Sequence, residues 1–452
     1  MAGNLKARLE RIRAQGGTNL KSQADSSLHH KDLGADQKPP ASFPPPWVAL
    51  DSLVLFRREC IPLECSTIRT EGLSEFLRIL FRGSRNAGQG VKPEELLFFD
   101  LETTGLSGGA GTVAFLAAFG ELVGASLEIR QYLLLDYPGE PVFIDHIEQE
   151  LTRQPQKVLV SYNGKTFDIP LLRSRFILQG RLLPEKEHID LLPLSRLLWK
   201  GLVPSCSQGN LEAFVLQKVR QGDIPGALAP QIWFSFVRKC GEGASLNNLL
   251  SVCHHNLLDI QGLVALFTLL LHIGSRPLEA LETIPFNADR LALLWPQGTM
   301  RLTLLETTAG RGSARALFEL ARLARQGGDW DAYRRYLEQI LETPNAAGSA
   351  GTTQSPVLQP PLYQLQPPVL SPQSVSPGLQ PSVSSSAATE LAAATLRLRA
   401  SIALAGYYEW NKGDLERAEL YTRLALDLLE AAGTERRRAG ARGLAPSINM
   451  KL

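Results

Sequence analysis

Between residues 94 and 273 the sequence alternates apolar runs of strand length with amphipathic runs of helix length. Three strand-like runs come first ("LLFFDLE", "TVAFLAAFGEL" and "LEIRQYLLLD"), and a helix-like run follows them. Two further strand-like runs, "KVLVSYN" and "EHIDLL", then enclose the helix-like run "DIPLLRSRFILQG". Consecutive strands favour antiparallel hairpins, whereas strands separated by helices favour parallel pairing. The pattern therefore predicts an α/β domain over residues 93–274, with a mixed sheet flanked by helices.

The segments that flank this domain on either side differ from it in composition. At 452 residues the chain exceeds one ordinary core, so two or more domains are expected. Residues 1–46 end in "QKPPASFPPP" and lack hydrophobic periodicity, which predicts a disordered N-terminal arm. Residues 47–92 carry a short apolar segment and a helical pattern, which predict a lead-in subdomain. Residues 275–309 are expected to connect the α/β domain to the rest of the chain.

The C-terminal part repeats a helical design. Residues 310–343 and 390–433 each predict two helices around a Gly-Asp turn, and the two segments resemble tetratricopeptide hairpins. Residues 344–389, which separate them, are rich in Pro, Ser and Gln and predict a disordered insertion. Residues 434–452 form a basic tail. We therefore expect an α-helical, tetratricopeptide-like region after the α/β domain.

Charge and cysteine content bear on the compartment and the partners. Lys and Arg total 47 against 45 Asp and Glu, a net charge of +2 that by itself indicates no strongly charged partner. The five cysteines are scattered, without a CxxC pair or a nearby Cys/His set, so neither a zinc module nor a disulfide framework is predicted. The longest apolar run, residues 263–273, is too short to span a bilayer. We expect a soluble, cytoplasmic protein.

Asp100 and Glu102 end the first strand of the predicted domain, with Leu101 between them. Side chains i and i+2 of a strand point to the same face, so these two carboxylates are expected side by side. Like charges at that distance repel each other, and a divalent metal between them would relieve the repulsion. The threonines and glycines that follow allow a sharp turn at the carboxyl end of the strand, where open α/β sheets bind ligands. The alternative is a strand that simply ends in two solvated acids.

Two later elements supply further acids. "YNGKTFD" ends a strand and enters a helix with Asp168 in its first turn, although Asp168 could also interact only with the helix dipole. "HHNLLD" opens an apolar helix with His254, His255 and Asp259. If that helix already includes His255, then His255 and Asp259 share a face, because residues i and i+4 are neighbours. A surface or capping role is the alternative for the histidine pair, and Asp190 in "EHIDLL" either reaches the site or caps the next helix.

Taken together and in this order, "FDLETTG", "YNGKTFD" and "HHNLLD" resemble the three motifs of the DEDD exonucleases. "DLETTGLSGGAGTVAFLAAFG", "HIDLLPLSR", "DIPGALAP" and "HNLLDIQGLVAL" resemble more specifically the YprB-like bacterial branch, which has helical repeats behind its nuclease domain. The resemblance covers residues 93–274 and, less closely, the C-terminal helices. It implies a ribonuclease-H-like fold and a 3′→5′ exonuclease that hydrolyses phosphodiester bonds of nucleic acid with two Mg²⁺ or Mn²⁺ ions.

The resemblance also implies roles for single residues. The side chains that would bind the metals are four acids: Asp100, Glu102, Asp168 and Asp259. Asp100 would bridge both ions, Glu102 and Asp259 would complete the site on the nucleophile side, and Asp168 would support the other ion. The general base would be a histidine, for which the family pattern fits either His254 or His255. The i, i+4 spacing favours His255.

The same resemblance implies a substrate and partners. Members of the branch suggest single-stranded DNA 3′ ends as the substrate and a repair role beside a helicase or another repair protein. An RNA-processing exonuclease stays open, because nothing in the motifs reads a 2′-hydroxyl. So does a catalytically weak ribonuclease-H-like module whose helical repeats recruit a protein partner. The basic residues after Asp168 either follow the backbone of a single strand or form a solvated helix face: Arg173, Arg175, Arg181 and Lys186.

Overall fold

A mixed sheet of seven strands forms the centre of the described part of the protein. The computed structural model describes residues 43–63, 92–105, 111–239, 244–295, 298–342 and 383–440. The strands are β1 Val48–Ala49, β2 Val54–Pro62, β3 Leu96–Thr103, β4 Ala114–Val123, β5 Ser126–Leu134, β6 Val158–Ser161 and β7 His188–Asp190. The predictions of a disordered arm and a disordered insertion fall largely outside the described ranges, as does the end of the basic tail.

The strand order is β1-β2-β5-β4-β3-β6-β7. Strands β3, β4 and β5 pair antiparallel, as expected for three consecutive strands. Strands β6 and β7 join on the other side of β3 and are parallel to it, because a helix precedes each of them. The predicted mixed α/β sheet is therefore confirmed.

Helices cover the sheet and then continue as an all-helical region. They are α1 Glu140–Thr152, α2 Asp168–Leu178, α3 Leu191–Trp199, α4 Gln208–Phe214, α5 Ala229–Arg238, α6 Ala244–Ser275, α7 Pro277–Thr283, α8 Ala288–Ala292, α9 Thr299–Gly310, α10 Ala314–Gln326, α11 Trp330–Glu342, α12 Val383–Gly406 and α13 Leu415–Gly440. A short π-helix, Tyr407–Lys412, follows α12.

The segment predicted as a lead-in subdomain contributes to the same sheet. Strand β2 pairs with β5 along its whole length, from Val54 opposite Leu134 to Pro62 opposite Ser126. Its apolar residues Val54 and Leu55 are buried in the core that also contains Phe99. Of the segment 47–92, residues 54–62 thus extend the sheet of the domain that they were expected to precede.

Strand β3 is buried on both faces, which explains its continuous apolar run. Phe98 points to the face covered by α6, where its ring meets that of Phe267 edge to face at 5.6 Å. Phe99 points to the opposite face and packs against Phe119, with ring centroids 5.0 Å apart. By length and composition α6 could cross a membrane, but 72% of its most apolar window is buried inside the protein. In this fold α6 is a core helix.

The C-terminal helices pack in two groups. Leu304 and Leu305 of α9 and Leu320 of α10 belong to the same buried cluster as Phe98, so this region is part of the α/β core. Helices α10 to α13 form a second cluster around Tyr333 and Leu404. The helix pairs overlap the segments in which the Gly-Asp pattern predicts them, but α12 begins at Val383, inside the predicted insertion, and α13 extends to Gly440, inside the predicted tail. Their kinship to tetratricopeptide units stays a prediction.

Candidate active site

The site begins at the carboxyl end of β3. Asp100 and Glu102 lie on the same face of the strand as Phe98, which is the face covered by α6. The pairing of β3 with β4 becomes irregular between Glu102 and Thr103, where the strand ends. Glu102 is 9% exposed, so the strand does not end in two solvated acids.

Helix α6 brings three polar side chains to this strand end. The fully buried Asn256 donates from Nδ2 to Oδ2 of Asp100 at 2.8 Å. The Oδ1 atom of Asn256 accepts a hydrogen bond of 3.0 Å from Gln131 on β5. His255 and Asp259 lie one helical turn apart on α6. An apolar helix thus becomes polar where it passes the end of β3.

Asp168 enters from the turn between β6 and α2, as the first residue of α2. Asn163 takes a left-handed conformation in this turn, with φ of 69°. A Cβ on Gly164 would lie 2.3 Å from Oγ of Ser161, so only glycine fits there. The turn places Asp168 inside the protein, where it is 6% exposed.

Asp190 stabilises the turn that leads to Asp168. Its carboxylate accepts hydrogen bonds from the backbone N–H of Asn163 at 2.8 Å and of Lys165 at 3.1 Å. It also caps α3 by accepting from the N–H of Leu192 at 3.0 Å. Of the two predicted roles for Asp190, the structure shows the cap, together with support of the turn that carries Asp168.

The four acids of the predicted quartet converge, and burial together with the charges of neighbouring acids raises their pKa values. Burial raises the pKa of Asp100 well above its usual range, and the charges of Asp259, Asp168 and Glu102 raise it further. Glu102 is shifted in the same direction, by burial and by Asp259 and Asp168. Burial and the charge of Asp190 raise the pKa of Asp168 to about 7. The cluster therefore holds more negative charge than its protein surroundings compensate.

A guanidinium enters the cluster beside Asp259. Arg220 donates to Oδ1 of Asp259 at 2.8 Å and forms two bonds of 2.7 Å with Glu212. It also lies 3.2 Å from Oδ2 of Asp223. Burial raises the pKa of Asp259, while Arg220 and His255 act in the opposite direction. Arg220 thus fixes the orientation of Asp259 and compensates part of its negative charge.

The two histidines of "HHNLLD" lie on different faces of α6. Both are within the helix, and His254 is exposed to solvent. His255 faces the site: its Nδ1 lies 2.7 Å from Oδ1 of Asp223, and its Nε2 lies 3.4 Å from Oδ2 of Asp259. Hydrogen bonds from His255 and Arg220 hold the pKa of Asp223 below its usual range against the effect of burial. This geometry places His255, and not His254, at the site.

The donor set fits divalent cations. One ligand atom each of Glu102, His255 and Asp259 lies within 4.8 Å of the others. Asp100 and Asp168 add two more carboxylates, which carry raised pKa values. Hard oxygen donors of this kind suit Mg²⁺ or Mn²⁺, and uncompensated negative charge favours their entry. The residues that could hold such ions are the four acids, with His255 beside them.

Sequence analysis did not single out Arg220, Asp223, Glu212 or Asn256. Asp223 lies in the stretch "DIPGALAP", and Asn256 in "HNLLDIQGLVAL", both of which were noted only for their resemblance to a family. Arg220 and Glu212 lie in a segment without a motif, and only the folded chain brings them to Asp259. The sequence does predict a cluster of carboxylates that needs a cation beside it, and this was the available signal for Arg220. The cluster does not show which cation fills that role.

The basic residues after Asp168 are largely engaged elsewhere. Arg175 pairs with Glu140, and Arg181 with Asp145 and Glu148, all on helix α1. Lys186 donates to the carbonyl of Gln154 at 2.6 Å. These residues tie α2 and the following loop to the preceding helix, so they do not form a row of free cations for a nucleic-acid backbone.

Fold and site together define a ribonuclease-H-like domain. Residues 97–271 match the family model of the RNase_H superfamily. The ribonuclease-H-like fold that the sequence motifs implied is confirmed by this match and by the mixed sheet flanked by helices.

One relative is similar in sequence over part of its length. It is the "Uncharacterized protein YprB" of Bacillus subtilis (strain 168), which is 38% identical over 184 residues. The aligned part covers 40% of this chain and 43% of that protein. This chain therefore matches less than half of the length of that relative.

Two solved structures are similar to part of this chain, at low identity and low TM-score. The family B DNA polymerase from the hyperthermophilic archaeon Pyrobaculum calidifontis is 15% identical, with a TM-score of 0.31, over 47% of this chain and 29% of the polymerase. The zinc-bound E. coli ExoI–ssDNA complex is 18% identical, with a TM-score of 0.23, over 40% of this chain and 41% of ExoI.

Proposed function

We propose that this protein is a divalent-metal-dependent 3′→5′ exonuclease that hydrolyses single-stranded nucleic acid. The observation that carries the proposal is the convergence of four carboxylates at the carboxyl end of β3, of which Glu102 and Asp168 are buried and Asp100 and Asp259 are half-buried. Each has a raised pKa, which marks a site that gains stability when cations enter it. The match of residues 97–271 to the RNase_H superfamily supports a nuclease domain.

The four acids would hold two Mg²⁺ or Mn²⁺ ions. When bound, such ions supply charge neutralisation at the scissile phosphate and favour ionisation of the attacking water. Asn256 orients Asp100, and Arg220 orients Asp259, so that the carboxylates are fixed before substrate arrives. His255 would accept a proton from the attacking water through Nε2, which faces Asp259.

The direction of hydrolysis rests on the three motifs, and the preference for DNA rests on the resemblance to the YprB-like branch. "FDLETTG", "YNGKTFD" and "HHNLLD" carry the quartet and the histidine in the order found in DEDD exonucleases. We extend the proposal to DNA 3′ ends in a repair setting, with a helicase or another repair protein as the partner. The C-terminal helices, whose outer residues Trp410 and Leu415 are exposed, would be the part available to such a partner.

Purified protein incubated with single-stranded DNA and RNA in Mg²⁺, Mn²⁺ or EDTA tests the proposal. We expect hydrolysis with either metal, none in EDTA, and loss of activity in Asp100→Asn. Asp145→Asn is the matched control, because Asp145 is half exposed on α1 and pairs with Arg181 away from the site. Hydrolysis of RNA alone would shift the substrate to RNA. Full activity of Asp100→Asn would contradict the assignment of the site.

A further inference from the structure

We infer that Asp223 is a positioning residue for His255. It would hold the imidazole in the tautomer that carries its proton on Nδ1, so that Nε2 presents a lone pair to the acidic cluster. This inference rests on the proposed function only for its catalytic consequence. The tautomer itself is a property of the folded protein that can be measured without substrate or metal.

The first argument is the hydrogen bonding around Asp223. Its Oδ1 accepts from the backbone N–H of Ile224 at 2.9 Å and lies 2.7 Å from Nδ1 of His255. Its Oδ2 accepts from Arg220 at 3.2 Å. An ionised carboxylate can only accept hydrogen bonds, so Nδ1 of His255 must be the donor in this contact. A neutral ring that keeps its proton on Nδ1 has none on Nε2.

The second argument is the space on the other side of the ring. A Cβ on Gly226 would lie only 2.9 Å from Nε2 of His255, so a larger residue at this position would collide with the ring. Oδ2 of Asp259 lies 3.4 Å from the same nitrogen. Nε2 therefore faces Asp259 of the acidic cluster, with the backbone of Gly226 packed beside it.

These contacts come from one loop. The segment between α4 and α5 carries Arg220, Asp223 and Gly226, and it passes beside the part of α6 that carries His255 and Asp259. Gln217 and Gly222 take positive φ values of 54° and 66°, which bend the loop around the site. The loop thus fixes Asp259 through Arg220 and His255 through Asp223. This arrangement gives a role to the stretch "DIPGALAP", which the proposed function leaves unused.

The catalytic consequence follows from the proton balance. An Nε2 atom with a lone pair can accept one proton from the attacking water as its oxygen bonds to phosphorus and the bond from phosphorus to the 3′ oxygen of the preceding nucleotide breaks. That 3′ oxygen leaves and takes a proton from solvent. A ring with its proton on Nε2 cannot accept the proton of the attacking water. Removing the charge of Asp223 would allow both tautomers, and turnover would fall about 10–100-fold while KM changes little, because the role inferred for Asp223 is to orient His255.

The test is the tautomer of His255 in the full-length chain. ¹⁵N-histidine-labelled protein in EDTA, at a pH where the ring is neutral, gives long-range ¹H–¹⁵N spectra that distinguish the two tautomers. His255→Ala assigns the signal among the seven histidines. We expect the Nδ1–H form in the wild type and a mixture or the Nε2–H form in Asp223→Asn. The nuclease assay on the same variant should show the fall in kcat without a matching rise in KM.

Glu212→Gln is the matched control. It removes the other carboxylate that binds Arg220, but Glu212 has no hydrogen bond to His255. We expect the Nδ1–H form to persist in Glu212→Gln.

The same change of tautomer in Asp223→Asn and Glu212→Gln would mean that Asp223 acts through Arg220 and would overturn the inference. So would an Nε2–H form in the wild type, a measurement that needs no variant to fold. A protein with the expected tautomers but no hydrolysis would overturn the proposed function and leave this inference standing.

Discussion

Asn256 joins helix α6 to strand β3 through the carboxylate of Asp100. Its Nδ2 donates to Oδ2 of Asp100 at 2.8 Å, and its Oδ1 accepts from Gln131 on β5 at 3.0 Å. Gln131 also donates to the backbone carbonyl of Cys253 at 2.8 Å. Asn256 and Gln131 are fully buried, so this chain of amides is a fixed support for the acid.

Asn256→Ala should weaken both the fold and the metal site. It removes the hydrogen-bond donor to the Asp100 carboxylate and one of the two acceptors of the Gln131 amide, which costs about 1–3 kcal/mol of unfolding free energy. The affinity for Mn²⁺ should fall about 10–100-fold, because Asp100 is no longer oriented. Urea unfolding in EDTA and Mn²⁺ titration by calorimetry measure the two effects.

The control for this change is Asn248→Ala, since Asn248 is exposed on the same helix. It should alter neither quantity. Unchanged Mn²⁺ affinity in Asn256→Ala would contradict the view that the amide supports a metal ligand.

His255→Ala and His254→Ala form a matched pair on adjacent positions. His255 faces Asp259 and Asp223, whereas His254 is exposed. We expect His255→Ala to lower turnover by about 10²–10⁴-fold with little change in substrate binding, as for loss of a general base. His254→Ala should be close to wild type. Steady-state kinetics on a short single strand measure both, and the reverse ranking would assign the base to His254.

His188 should make stability depend on pH through the turn that leads to Asp168. Its Nε2 lies 2.7 Å from Oγ of Ser161, and that Oγ accepts from the N–H of Gly164 at 3.1 Å. The hydroxyl proton of Ser161 is therefore free to be donated to a neutral His188. Burial, with Lys165 nearby, lowers the pKa of His188 from 6.5 to about 4.

Because the folded state disfavours protonated His188, its contribution is complete above pH 6.5 and is lost as the pH falls toward 4. The loss is at most about 3 kcal/mol of unfolding free energy. His188→Gln keeps an acceptor for Ser161 but does not titrate, so its stability should fall less over this range. Urea unfolding of both proteins in EDTA at pH 7 and pH 4.5 isolates the difference. Parallel pH profiles would rule out this role for His188.

Truncations should separate the two groups of C-terminal helices. A chain that ends at residue 342 keeps Leu304, Leu305 and Leu320, which belong to the core of the α/β domain. We expect it to stay soluble and to retain hydrolysis of a short single strand. A chain that ends at residue 295 loses these three leucines, each of which contributes about 1.5–3 kcal/mol by burial, and should aggregate. Light scattering and nuclease assays measure the outcome, and a soluble, active chain ending at 295 would contradict it.

The sheet could be predicted from the sequence because its signals are local. Periodicity in the sequence is enough to recognise the apolar runs of β3, β4 and β5 and the helix between β5 and β6. The participation of β2 could not be predicted, because pairing between Val54 and Leu134 joins residues distant in the chain. Residues 54–62 look like an independent segment until their partner strand is known.

The residues of the site also divide into those that the sequence predicts and those that it does not. Asp100 and Glu102 end β3 and Asp168 begins α2, so their approach at one edge of the sheet could be predicted from the topology, whereas Asp259 lies in the middle of α6. Arg220 and Asp223 lie on an irregular loop with no pattern of its own, and their contacts depend on the path of that loop over α6. The residues that would bind metal were therefore predictable, and those that orient them were not.

The most direct test of the central claim is the polarity of hydrolysis on a single strand. A 5′-labelled DNA oligonucleotide incubated with the full-length protein and Mn²⁺ should yield a ladder that shortens one nucleotide at a time from the 3′ end. A phosphorothioate linkage at the 3′ terminus should block that ladder, and Asp100→Asn should produce none. Release of the 5′-labelled nucleotide as the first product, or equal hydrolysis in EDTA, would contradict a metal-dependent 3′→5′ exonuclease.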